Sequence, residues 1–185
     1  MSTRQIVRFF VKYKYEAIFP IAFLEGPIIT LISGFLVSRG TLGFIPALLV
    51  VFFGDFLSDT VFYAIGKGGR HAMQYVKFIK ISDERLQKLE YQFHTHPWKT
   101  MIVSKIAYGL GMVFMLAAGA SKMIWKKFIG YMGSLNLIRS TILLSIGYYF
   151  GRTAIRLGPT YLEYYAALVV VVLLISYLVF QRKYK

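Results

Sequence analysis

Residues 23–43 read FLEGPIITLISGFLVSRGTLG, a stretch that sets a carboxylate and a helix break inside sequence apolar enough for membrane depth. From Ala17 to Ser38 there are 22 residues with one ionisable side chain, Glu25, followed at once by Gly26 and Pro27. That length would cross a bilayer, but the interruption argues against a plain spanning helix. Pro27 has no backbone donor and suits the first turn of a new helix, so the segment divides into two half-helices meeting at Glu25 and Gly26. Irregular backbone at membrane depth must face protein or a wet cavity, which makes Glu25 the first candidate for a functional site.

The rest of the chain supplies the setting. Its 185 residues are 57% hydrophobic, 17% aromatic and only 16% charged, with a mean hydropathy of +0.56. These values describe an all-α polytopic membrane protein, counted as one membrane domain, better than a soluble one. The formal net charge of +14 is scattered among apolar segments with no groove-sized cluster, so anionic lipid is expected as the partner and nucleic acid is not. The absence of cysteine excludes disulfide and thiolate chemistry. The N-terminal stretch MSTRQIVRFFVKYKYEAIF has no clean apolar core or small-residue cleavage site, and no removable signal peptide is expected from it.

Taken in order, residues 4–16 set Arg4, Arg8, Lys12 and Lys14 among apolar side chains, as in an interfacial amphipathic helix. Residues 17–43 form the broken segment, and residues 44–66 a spanning helix in which Asp55, Asp59 and Tyr63 stack along one face that lipid cannot cover. Residues 67–99 are polar, with Leu86, Leu89 and Phe93 at helical intervals, and are expected to lie as amphipathic helices on the bilayer surface. Residues 100–122 repeat the broken design, with Lys105 ahead of Tyr108-Gly109-Leu110-Gly111. Residues 124–151 span again and carry Asn136, Arg139 and Ser140 on one face, and 161–180 form a last apolar crossing. Ser33-Gly34 ahead of a crossing that ends in Ile65-Gly66 is echoed by Ala118-Gly119 ahead of one that ends in Ile146-Gly147. Broken helix then spanning helix, twice, is a pattern of repeat-built transporters, although the relative orientation of the repeats is not visible in the sequence.

Glu25-Gly26-Pro27, the run from Gly54 to Gly69 with Asp59, Tyr63, Ile65, Gly66 and Lys67, and Ala117-Ala118-Gly119 together resemble the DedA family, also called VTT-domain or SNARE-associated Golgi proteins. The resemblance spans roughly residues 15–155. It implies two re-entrant hairpins meeting inside the bilayer, and translocation of a lipid phosphate such as undecaprenyl phosphate, or of a phospholipid, as a flippase or scramblase coupled to protons. It also implies a site at Glu25 and Asp59. In the second hairpin, Lys105 keeps the first positive charge of the family pattern, but Tyr108 replaces its proline and Gly111 its second arginine. Arg139 is a candidate for the missing cation.

Physical chemistry leads the same way. Glu25, Asp55, Asp59, Lys105 and Arg139 all fall at apparent membrane depth, where each isolated charge costs roughly 2.5–3.5 kcal/mol on insertion scales. They should therefore pair or line a hydrated cavity. The half-helix that starts at Pro27 offers an anion site, which ionised Glu25 is expected to fill until protonation of Glu25 or Asp59 frees it and Lys105 for a lipid phosphate. Tyr63 is expected at the membrane interface. No metal or cofactor is expected, since His94 and His96 lack a third ligand nearby. The chain is expected not to be an enzyme, because the histidines lie away from the acidic residues. The alternatives are a scaffold whose buried charges are structural and, after it, a lipid phosphatase. A prokaryotic cytoplasmic membrane is the expected location, with self-association into a homo-oligomer left open.

Overall fold

The computed structural model describes residues 14–69, 83–106 and 110–157, and among these every regular element is an α-helix. In chain order they are α1 (Lys14–Leu24), α2 (Gly26–Ser38), α3 (Phe44–Lys67), α4 (Asp83–Thr95), α5 (Pro97–Ile106), α6 (Gly111–Ala120) and α7 (Trp125–Leu157). The expected crossing at 161–180 and the segment 4–13 lie outside the described residues. Lys14, Tyr15 and Glu16 belong to α1, the first arm of the hairpin, rather than to a separate interfacial helix.

Helix length separates what crosses from what does not. The 24 residues of α3 and the 29 residues Trp125–Thr153 of α7 are long and apolar enough to span a bilayer. By contrast α2, at 13 residues, reaches only ~20 Å and falls short of a ~30 Å hydrocarbon core. α1 and α2 therefore enter and return, and so do α5 and α6 at ten residues each. The spanning helices turn large apolar side chains outward at four-residue spacing, Ile45, Leu49, Phe53 and Leu57 on α3 and Ile138, Ile142 and Ile146 on α7. Such stripes suit lipid and would be costly against water.

The two hairpins enter from opposite ends. At one end the Gly43 backbone N–H donates to the Tyr15 hydroxyl at 2.9 Å, and Ser38 lies against Gly151, which gathers the start of α1, the end of α2, the start of α3 and the end of α7. At the other end Gly119 lies against Lys67, the Tyr63 hydroxyl donates to the Met123 carbonyl, and the Trp98 and Tyr131 rings are 5.0 Å apart. The start of α5, the end of α6, the end of α3 and the start of α7 meet there.

Each returning arm packs on the spanning helix of the opposite half, through glycine. A Cβ on Gly34 would stand 2.2 Å from the Leu144 carbonyl oxygen, and one on Gly147 2.2 Å from that of Leu31, which locks α2 to α7. A Cβ on Gly66 would stand 2.1 Å from the Leu116 carbonyl oxygen, and one on Gly119 2.1 Å from that of Tyr63, which locks α6 to α3. Without side chains at these points the backbones approach closely, as small-residue helix contacts in membranes do.

The core has two parts. Ile18, Ala22, Ile29, Ala47, Val51 and Leu144 pack around the first hairpin, and Tyr63, Phe93, Met101, Phe114, Met115 and Phe128 around the second. Leu86 and Phe93 of α4 are buried against the second hairpin, with the Phe93 and Phe114 rings 6.4 Å apart, so this apolar stripe covers protein. One expectation is corrected here. Tyr63 is 1% exposed and stacks on Phe128, which makes it a core residue rather than an interfacial one.

Candidate functional site

Glu25 is the hinge of the first hairpin. Its N–H donates to the Ile21 carbonyl at 2.7 Å and its carbonyl accepts from the Ile29 N–H at 3.3 Å, so it ends α1 and begins α2 in one residue. Its φ of −139° and ψ of 70° are not helical, and Pro27 occupies the first turn of α2, where a missing donor costs nothing. In the second hairpin Leu110 precedes α6, and its carbonyl accepts from the Phe114 N–H at 3.1 Å. Tyr108 and Gly109 lie outside the described residues.

The hairpin tips meet at one cavity of about 150 Å³, lined by Glu25, Gly26 and Pro27 from the first and by Ser104, Lys105, Gly111 and Met112 from the second. α3 contributes Asp55, Ser58, Asp59 and Phe62, and α7 contributes Arg139. All five charges singled out in the sequence therefore line one space, far larger than the ~15 Å³ that admits a water molecule.

Four of these charges form two pairs. Lys105 Nζ donates to Asp59 Oδ2 at 2.6 Å, with the two side chains 11% and 13% exposed. An Arg139 Nη2 donates to Asp55 Oδ2, with side chains 22% and 8% exposed. Each pair ties α3 to another element, α5 in the first case and α7 in the second. Asn136 was noted in the sequence only as sharing a face with Arg139. It is fully buried, and its Nδ2 donates to the same Asp59 Oδ2 at 2.7 Å. Its i, i+3 spacing from Arg139 was the available signal; Ser104, beside Lys105, carried none beyond adjacency.

Glu25 makes no side-chain hydrogen bond to the start of α2. A Cβ on Gly26 would stand 1.7 Å from Asp55 Oδ1, so it is the Asp55 carboxylate that is seated against the first residue of α2. Gly111, the corresponding first residue of α6, has nothing among the described residues within 4 Å of where a Cβ would stand and lines the cavity. Among the described residues no group of three or more His, Cys, Asp or Glu is placed to hold a metal ion.

Helices long and apolar enough to cross, large apolar side chains turned outward and charges gathered around an interior cavity describe an integral membrane protein. The chain is similar to the inner membrane protein YohD of Escherichia coli (strain K12), with 29% identity over 147 residues that cover 76% of this chain and 72% of that protein. No family model matches the chain, and no solved structure matches it.

Proposed function

We propose that the chain moves a lipid phosphate across a prokaryotic cytoplasmic membrane, as a flippase or scramblase coupled to protons and without covalent chemistry. The observation that carries this reading is the meeting of both hairpin tips at one cavity whose two cations are each held by a carboxylate. Cations held this way can be released to a passing anion when the carboxylate is neutralised. Protonating Asp59 frees Lys105, which stands beside the open start of α6 at Gly111, and together they suit a phosphate headgroup. The apolar lining residues Phe23, Leu24, Phe62 and Met112 suit the adjoining part of an acyl or polyprenyl chain. The DedA-like motifs and the similarity to an inner membrane protein support the same reading, with undecaprenyl phosphate or a phospholipid as the substrate.

The test is pH-driven flipping of a fluorescent lipid phosphate in proteoliposomes. Asp59→Asn is expected to abolish its pH dependence, and Lys105→Gln to lower flipping by about tenfold, the equivalent of one charge-assisted hydrogen bond. Both ion pairs also bridge helices, which favours a scaffold as the second reading. Flipping that survives simultaneous Glu25→Gln, Asp59→Asn and Lys105→Gln substitution would favour the scaffold, and release of phosphate from the lipid would favour an enzyme.

A further inference from the structure

The Lys105 and Arg139 pairs do not duplicate one another. Lys105 belongs to the second hairpin, while Arg139 and its partner Asp55 sit at the tip of the first, which enters from the opposite end of the molecule. Each carboxylate also has a second support that would hold it if its cation left. Asp59 keeps the amide of Asn136, which donates to it at 2.7 Å. Asp55 keeps its seat against Gly26 at the start of α2, where the partial positive charge of the helix favours an anion.

The cations, for their part, have capacity to spare. Arg139 spends Nη2 on Asp55, while its Nε is buried without an acceptor among the described residues. A guanidinium prefers to use two parallel donors on one oxyanion, and a phosphate presents enough oxygens to take both. Lys105 is a mobile point charge on a long stem, able to turn from Asp59 to a neighbouring anion.

We infer that the cavity contains two anion stations in series, Lys105 plugged by Asp59 and Arg139 plugged by Asp55, with each carboxylate standing in for the phosphate of a passing headgroup. Once Asp59 is protonated, an arriving phosphate takes its place on Lys105, while Asn136 retains Asp59. It next passes to Arg139, displacing Asp55, which remains at the start of α2. No covalent bond changes. This rests on the transport reading for its ligand, but the stations themselves are properties of the protein that binding can read without transport.

The experiment measures equilibrium binding of dihexanoyl phosphatidate and of inorganic phosphate to the purified chain in detergent. Asp55→Asn removes a competing charge and is expected to tighten phosphatidate binding by about tenfold. The double variant Asp55→Asn/Arg139→Gln should lose that gain, and Asp55→Asn/Lys105→Gln should keep it. Reciprocally, the gain from Asp59→Asn should be lost with Lys105→Gln and kept with Arg139→Gln. If either cation substitution cancels both gains, there is one shared site and the proposal falls. It also falls if a folded Asp55→Asn protein shows no gain.

Because Asp55→Asn leaves a buried guanidinium without its partner and can impair folding, the unsubstituted chain provides a second measurement. With 15N-labelled arginine, the Arg139 Nε–H resonance, assigned with Arg139→Lys, should shift on saturation with phosphatidate. An unmoved resonance would overturn the second station. Equal affinity for inorganic phosphate would support the stations while removing lipid as their ligand, and flipping without the expected binding pattern would do the reverse.

Discussion

Gly26 and Asp55 show how much of the site depends on a single missing methyl group. With the Cβ position 1.7 Å from Asp55 Oδ1, Gly26→Ala must push the carboxylate away from α2 and strain its bond to Arg139. Overpacking of this kind costs about 1–3 kcal/mol. Thermal unfolding in detergent should register that loss, and flipping should fall to background. Gly111→Ala meets none of the described residues within 4 Å and should change unfolding by less than about 0.5 kcal/mol. The contrast is informative because the sequence presents the two glycines alike, each beginning a returning half-helix. That a charge would lie at the break was legible from Glu25 alone in an apolar run. Which carboxylate would fill the start of α2 was not, because Asp55 lies on another helix and reaches Gly26 only through tertiary packing.

Among the elements, the breaks and the spanning helices were legible, since Gly26-Pro27 and Gly111 interrupt apolar runs and α3 and α7 have the length and hydropathy to cross. The partnership of the elements was not. Gly26 and Gly111 each stand eight residues before the glycines at which their helices pack, Gly34 and Gly119, and Asp55 and Asn136 each stand 11 residues before Gly66 and Gly147. The halves thus share a register but exchange partners, α2 lying on α7 and α6 on α3. At the matching place one half carries a carboxylate and the other an amide, which fits the filled start of α2 and the open start of α6. The partner of α4 was hidden for a related reason. A stripe of Leu86 and Phe93 reads the same whether it covers lipid or another helix, and here it covers α6. The helix contacts themselves can be tested with Gly119→Val, whose branched side chain meets backbone at Tyr63 and Lys67 with no flexible group to give way. The expected loss is at least about 3 kcal/mol, at the upper end of overpacking costs, against less than about 0.5 kcal/mol for Gly130→Ala, where nothing lies within 4 Å. Unfolding of both variants in detergent gives the comparison.

Across the whole molecule, opposed entry of the hairpins fixes which loops share a side of the membrane, and the chain is well suited to a direct test because it has no cysteine. Lys99 at the start of α5 and Lys126 at the start of α7 are exposed at the end where Gly119 meets Lys67. Arg39 after α2 and Arg152 near the end of α7 are exposed at the other, where Ser38 meets Gly151. Single-cysteine variants Lys99→Cys and Lys126→Cys should therefore react with a membrane-impermeant maleimide from one side of sealed vesicles, and Arg39→Cys and Arg152→Cys from the other. A hairpin that crossed instead of returning would break this grouping in a specific way. Were α5 and α6 one continuous crossing, Lys99 would exchange sides relative to Lys126; were α1 and α2 continuous, residues before α1 would part from Arg39. Labelling Lys99→Cys and Lys126→Cys from opposite sides would mean that Lys105 and Glu25 do not approach from opposite faces, and the shared cavity on which both the transport reading and the two stations depend would have no structural basis.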